Sequence, residues 1–314
     1  MTEPLVAAIE AGGTKFVCAA GRSWQEVRAA EKYVVPTGRP EETLRAVTGW
    51  FDARHGPGRI AAVGVASFGP LDLRQGRIGP TPKPGWSGFD WRAAVAGWRP
   101  DAAFGLETDT NGAGVAEWTW GAGAGSEVCV YITVGTGIGG GVVIAGRALH
   151  GLVHPEVGHM RIPHQADDPF PGVCPFHGDC LEGMASGPAV ESRWGRPGRD
   201  LGPGHPAWAL EGRYLAAAVT NLALTLSPQV VILGGGVMQA PGLLAAVREG
   251  TRALVAGYID SELLGPGVDR YIVAPGLGGD SGVLGAFAAG RRALGRTDQP
   301  SAPGGGPAVG VEAG

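Results

Sequence analysis

In the stretch CPFHGDCLEGMASG, residues 174–187, two cysteines and a histidine stand almost side by side, and an acid follows them at Glu182. Thiolates and imidazoles at such spacing are the donors of a metal site, and His154, His159 and His164 just upstream enlarge the group. Cys18 and Cys129 differ, because each sits in an apolar run, FVCAAG and VCVYITV, where a cysteine packs as a small hydrophobe. A second constellation is LETDTNGAGVAEW, residues 106–118, in which Glu107, Asp109 and Asn111 gather where an apolar strand gives way to a helix. Taken alone, Asp109 reads as a helix N-cap.

Its neighbours change that reading. LVAAIEAGGTKFVCAAG and VCVYITVGTGIGGGVVIAG each run as an apolar strand, a turn of glycine and threonine, and a second apolar strand, which predicts two halves of similar architecture. Glycine turns let consecutive backbone N–H groups close on phosphate oxygens, and Thr14 and Thr136 can add hydroxyl donors. A third glycine turn ends the buried strand of VVILGGGVM, a position where nucleotides bind. Neither GxGxxG with a downstream acid nor GxxxxGK[ST] occurs in the required strand–turn–helix setting, which disfavours a dinucleotide fold and a Walker-type site. Asp109 then falls at the hinge between two phosphate-binding halves, where a substrate hydroxyl must be held and deprotonated.

The whole chain is consistent with such an enzyme. Its 314 residues, 44% hydrophobic and 17% charged, are enough for two ordinary domains. A formal net charge of −4 with no basic run argues against a nucleic-acid partner. The opening MTEPLVAAIEAGG lacks a positive signal-peptide region, so a cytoplasmic protein is expected. Residues 128–146 and 214–247 are uncharged and long enough to raise a membrane span. The first breaks at its glycines into strand, turn and strand, and Pro228 and Pro241 divide the second into helix, strand and helix. No membrane association is expected. The tail 295–314, rich in Gly, Pro and Ala, is expected to be disordered.

IEAGGTKF, TDTNGAGVAEW, ITVGTGIGGG, PEVGHM, CPFHGDCLEG and VVILGGGV, in this order, resemble the ROK family of bacterial sugar kinases and repressors from about Val6 to Gly290. EAGGTKF, TPKPGW at residues 81–86 and CPFHGDCLEGMASGPA are most similar to its fructokinase branch.

The resemblance implies an α/β, two-domain actin-like fold, shared with sugar kinases and heat-shock ATPases, with a ligand cleft between the domains. The expected division is a small domain at 1–112, a larger one at 113–280 carrying a zinc-binding loop, and a helix near 281–294 returning to the first. It implies ATP phosphates held by Gly12, Gly13, Thr14 and Lys15 and by Gly135, Thr136 and Gly137, with Gly234, Gly235 and Gly236 bordering the adenosine. Asp109 matches the catalytic base. Glu156, His159 and Glu182 match sugar-binding positions, and Thr108 and Asn111 are placed beside them. Zinc is implied at His159, Cys174, His177 and Cys180, where His177 replaces a third cysteine and His164 competes for the first position; this structural zinc would fix the loop that carries Glu156 and Glu182.

Two residues depart from the family pattern. Glu10 stands where aspartate is common and alters the placement of Mg²⁺. Thr108 stands where asparagine is common, removing an amide that would contact the sugar in glucokinase-like relatives. With the fructokinase resemblance, this makes phosphorylation of D-fructose to fructose 6-phosphate the expectation, with a glucokinase or mannokinase of the same family, or a noncatalytic sugar-responsive regulator, as alternatives; the resemblance also implies a homodimer. A repressor would need a DNA-binding segment ahead of the first glycine turn, and that turn follows Glu10 directly.

Overall fold

A computed structural model describes residues 3–56 and 58–296; the tail expected to be disordered lies, beyond residue 296, outside them. The strands are β1 (Leu5–Ala11), β2 (Lys15–Gly21), β3 (Tyr33–Pro36), β4 (Ile60–Ser67), β5 (Leu71–Asp72), β6 (Arg77–Ile78), β7 (Ala103–Thr108), β8 (Val128–Val134), β9 (Ile138–Ile144), β10 (Arg147–Ala148), β11 (Val230–Gly234) and β12 (Ile272–Val273). The helices are α1 (Trp24–Ala29), α2 (Pro40–His55), α3 (Trp91–Trp98), α4 (Asp109–Trp120), α5 (Leu181–Ala185), α6 (Gly187–Trp194), α7 (Pro206–Leu226), α8 (Leu243–Val255), α9 (Val268–Tyr271) and α10 (Ser281–Ala293).

The repeat read from the glycine turns is a repeat of sheets. One five-stranded sheet has the order β3-β2-β1-β4-β7, the other β10-β9-β8-β11-β12. In each, the hairpin that carries the glycine turn is antiparallel and the next two strands run parallel to its first strand. The turns after β1 and β8, the β7–α4 junction and the glycines after β11 therefore all lie at carboxyl ends of parallel strands, the edge where α/β sheets bind ligands.

Separate apolar clusters fill the two halves. One centres on Phe16, Phe51, Trp86 and Trp91, the other on Ile132, Leu181, Tyr214 and Leu215. A third lies between the sheets, where Val6, Ala8, Val143 and Ile232 meet Val115 and Trp120 of α4 and Leu284 and Phe287 of α10. Helix α10 thus returns from the end of the described chain to the first sheet. Helix α4 packs on α10 and on the second sheet, so a boundary at residue 112 cuts through a helix that both halves share. Helix α7 carries Glu211 and Arg213, and among the described residues no helix is long and apolar enough to cross a membrane.

The seating of α10 needs bare backbone beneath it. A Cβ on Gly64 of β4 would come 1.9 Å from the carbonyl oxygen of Ala286. Because that obstacle is helix backbone, Gly64→Ala should lower unfolding free energy toward the upper end of the ~1–3 kcal/mol typical of overpacking. A denaturation midpoint unchanged from the parent would show that the helix does not sit that close.

Candidate functional site

The strand edges enclose a cleft of about 540 Å³. Its first wall is the turn after β1, closed by Gly12 N–H donating to Lys15 O at 3.0 Å. Thr37, just after β3, pins this turn by donating its N–H to Thr14 O and its hydroxyl to Gly12 O at 2.7 Å. The opposite wall is the turn after β8, where Gly135 donates to Gly137 O and Gly187, the first residue of α6, donates to Gly135 O at 2.7 Å. Gly12, Gly13, Thr14 and Lys15 therefore face Gly135, Thr136 and Gly137 across one space. Gly135 and Thr136 also border a neighbouring groove of about 680 Å³, lined by Trp208, Val237 and Gly236.

Of the three glycines that end and follow β11, only Gly236 lines that groove. Gly234 is buried, and Gly235 takes a φ of 94° where a Cβ would meet Val134 O at 2.3 Å. Their role is to let β11 turn against β8.

Asp109 stands on the cleft floor as the first residue of α4. The N-cap is Thr108, whose hydroxyl accepts from Asn111 N–H at 3.1 Å. Asp109 accepts from Thr110 N–H at 2.8 Å and otherwise faces the cleft. Burial raises its pKa to about 6, the charge on Glu156 pushes the same way, and the Thr110 N–H and His154 oppose them.

Two expected sugar ligands, Thr108 and Asn111, are buried. Thr108 borders the cleft but is buried and spends its hydroxyl as the helix cap. Asn111 is fully buried behind Asp109, off the cleft wall, and its amide donates to Glu107 at 3.0 Å. The sequence showed polar residues alternating along an assumed strand end; the helix in fact begins at Asp109 and turns Asn111 inward.

Glu156 and Glu182 line the cleft from the second half. Glu182 accepts from Ile138 N–H at 2.9 Å, tying α5 to the second glycine turn. Glu156 pairs with His154 at 2.9 Å, so His154 belongs to the cleft and not to the cysteine group. Glu10 lies across from Asp109. Burial first, then the Asp109 charge, raise its pKa to about 7, while Lys15 and the Val283 N–H pull it down. A Cβ on Gly282 would meet the Glu10 carboxyl at 2.3 Å, so the start of α10 is shaped around this acid.

His159, Cys174, His177 and Cys180 bring one ligand atom each to within 4.8 Å of one another. Cys174 Sγ lies 3.7 Å from His159 Nδ1 and 3.6 Å from His177 Nδ1, and Cys180 Sγ lies 3.6 Å from His159 Nδ1. Residues 174 and 178 pair as a tight bridge, and Cys180 directly precedes α5. His164 stands outside the group, with Nε2 on Phe170 O at 2.9 Å. His159 has both predicted attachments, since it also lines the cleft.

The ROK family model matches residues 6–292. The chain belongs to the ROK family. A fructokinase of Zymomonas mobilis is 42% identical over 89% of this chain and 94% of its own length, and one of Pediococcus pentosaceus is 38% identical over 92% and 99%. Among solved structures, a ROK hexokinase from Thermus thermophilus superposes with a TM-score of 0.76 at 30% identity, over 93% of this chain and 99% of its own. The sheets and cleft are thus those of an actin-like sugar kinase fold.

Three residues of this ROK chain gained their place only from the structure. Thr37 had no signal beyond a polar residue after a strand. His154 read as one more imidazole near the cysteines. Lys83, in TPKPGW, lies on the cleft wall although it is distant in sequence from both glycine turns.

If Asp109 must be ionised to accept a proton, its raised pKa places the acid limb of kcat/KM near pH 6, with activity falling as pH drops through that value. Glu156→Gln removes a charge that holds Asp109 up, and the limb should move to lower pH. A pH profile unmoved by that substitution would take Glu156 out of the field at Asp109.

Proposed function

We propose that this chain transfers the γ-phosphoryl group of ATP to the 6-hydroxyl of D-fructose, with Asp109 as general base. The observation that carries the reading is the position of Asp109, an acid with raised pKa between two glycine turns, in a chain similar over most of its length to fructokinases. On the same family resemblance we place the enzyme in the cytoplasm as a homodimer.

ATP enters along the groove beside Gly236, and its phosphates reach the backbone N–H groups of both turns. The sugar lies against Asp109, Glu156, His159 and Glu182. As a carboxylate, Asp109 accepts a hydrogen bond from the primary hydroxyl and takes its proton while that oxygen attacks the γ-phosphorus and ADP departs. Glu156 and Glu182 hold other hydroxyls, so that the attacking oxygen is in line before transfer. Closing the cleft on the sugar keeps water from taking its place. The carboxylates of Glu10 and Asp109 are the acids near which Mg²⁺ would sit, and that ion would neutralise charge on the phosphate oxygens.

The nitrogen and sulfur atoms at His159, Cys174, His177 and Cys180 suit zinc. Tetrahedral bonds of about 2.0 to 2.3 Å set neighbouring nitrogen and sulfur atoms about 3.6 Å apart, the spacing already present in the cluster. Bound there, zinc would clip the short α5 and its Glu182 to the single helical turn Val157–His159, so that both face the sugar.

Purified protein should then carry about one zinc per chain, and Cys180→Ser should lose the metal and weaken sugar binding. Full sugar affinity in metal-free protein would end the zinc reading. In a coupled assay with ATP and Mg²⁺, kcat/KM should be larger for fructose than for mannose or glucose, and Asp109→Asn should cut turnover by roughly 100- to 10,000-fold. A larger ratio for glucose or mannose would overturn the fructose assignment and leave a hexose kinase, whereas near-normal turnover by Asp109→Asn would remove Asp109 from the mechanism.

A further inference from the structure

The cleft contains a cation that neither glycine turn supplies. Lys83 belongs to the loop between β6 and α3, and its side chain lies on the turn after β1: a Cβ built on Gly13 would come 3.5 Å from Lys83 Cε. Its ammonium forms no hydrogen bond or ion pair with any described residue, although Lys83 and Lys15 share the cleft with Glu10, Asp109, Glu156 and Glu182. A partly buried ammonium held over a phosphate-shaped turn, without a carboxylate of its own, is poised for an anion that arrives later.

The loop is built to hold that position. Trp86 follows Lys83 closely and is fully buried, packed in tilted and edge-on contacts among Phe16 of β2, Phe68, Phe89 and Trp91. Its indole donates to Gly38 O at 2.9 Å, and its backbone N–H donates to Lys83 O at 3.1 Å. Thr81 is fastened to Ser87 by hydrogen bonds in both directions. Phe16 lies just beyond the first glycine turn, so the same aromatic cluster sets the height of that turn and of Lys83 together.

We propose that Lys83 contacts the γ-phosphoryl group during transfer, an inference that rests on the kinase reading above. In that step the bond from the γ-phosphorus to the β–γ bridging oxygen breaks, a bond to the sugar oxygen forms, and the hydroxyl proton passes to Asp109. The products are ADP and the sugar phosphate, and Lys83 keeps its proton throughout. Its positive charge offsets the negative charge on the equatorial phosphoryl oxygens. Apart from Lys15 and the N–H groups of the turns, the cleft is lined by the carboxylates of Glu10, Asp109, Glu156 and Glu182, and a fixed cation in place before the reaction costs no reorganisation. The backbone N–H groups of the turns can hold the remaining phosphates, so Lys83 distinguishes ATP from ADP.

The test compares Lys83→Met and Lys83→Arg with the parent enzyme, using fructose, ATP and Mg²⁺ for turnover, and calorimetry with AMPPNP, ADP and fructose for binding. Lys83→Met should lower kcat by roughly 10- to 1,000-fold, weaken AMPPNP more than ADP, and leave fructose affinity within about threefold. Lys83→Arg, which keeps the charge, should recover part of the lost kcat, and it serves as the informative variant if the methionine protein does not fold. Turnover by Lys83→Met within about threefold of the parent would overturn the proposal. So would equal losses for ADP and AMPPNP, or a loss confined to fructose binding. A parent protein that phosphorylates no hexose would instead overturn the kinase reading on which the proposal stands.

Discussion

The carboxylate of Glu117 holds the two halves in register. Wholly buried near the end of α4, it accepts from the N–H groups of Ala122, Gly276 and Leu277 and from the Ser281 hydroxyl at 2.6 Å. A charge without water is tolerable only when its lone pairs are filled in this way. The donors come from both ends of the inter-sheet layer, the turn after α4 and the segment leading into α10. One acid thereby fixes where α10 begins. The crossing of the two helices follows from it, with Gly112 and Gly285 so close that a Cβ on Gly285 would meet Gly112 backbone at 2.2 Å.

That crossing sets the chemistry. The start of α10 presents Gly282 to Glu10, and the start of α4 presents Asp109 to the cleft. Burial raises the cost of ionising both acids, and the Asp109 charge adds to it at Glu10 as the Glu156 charge does at Asp109, so their pKa values lie near 7 and 6. Positive charge offsets this cost: Lys15 acts on Glu10, His154 on Asp109, and Lys83 stands ready beside the first turn.

The second half contributes rigidity through a different device. Between His159 and Cys174 the chain has little regular structure, yet Asp168 is buried, pairs with Arg193 at 3.1 Å and accepts from the Tyr214 hydroxyl at 2.6 Å. Arg193 also donates to Met184 O at the end of α5 and stacks on Phe170. This network fastens the outer end of the loop to α6 and α7, and the cysteine–histidine cluster lies at its inner end. Glu182 is held between them.

Local sequence determined a great deal of this protein. Paired apolar runs around glycine turns fix two hairpins, because alternating burial and backbone freedom are properties of a few adjacent residues, and both hairpins occur where the runs predict them. The grouping of Cys174, His177 and Cys180 was equally legible, since donor side chains gathered within one short loop are written in its spacing. Tertiary structure alone decided which residues face the cleft. Asn111 and Gly234 turned inward because helix phase and strand packing depend on where an element starts and what covers it, whereas His154 and Lys83 reached the cleft from loops whose paths no local pattern encodes. The choice of His159 over His164 has the same origin: only the folded loop brings one imidazole onto the thiols and sends the other to Phe170.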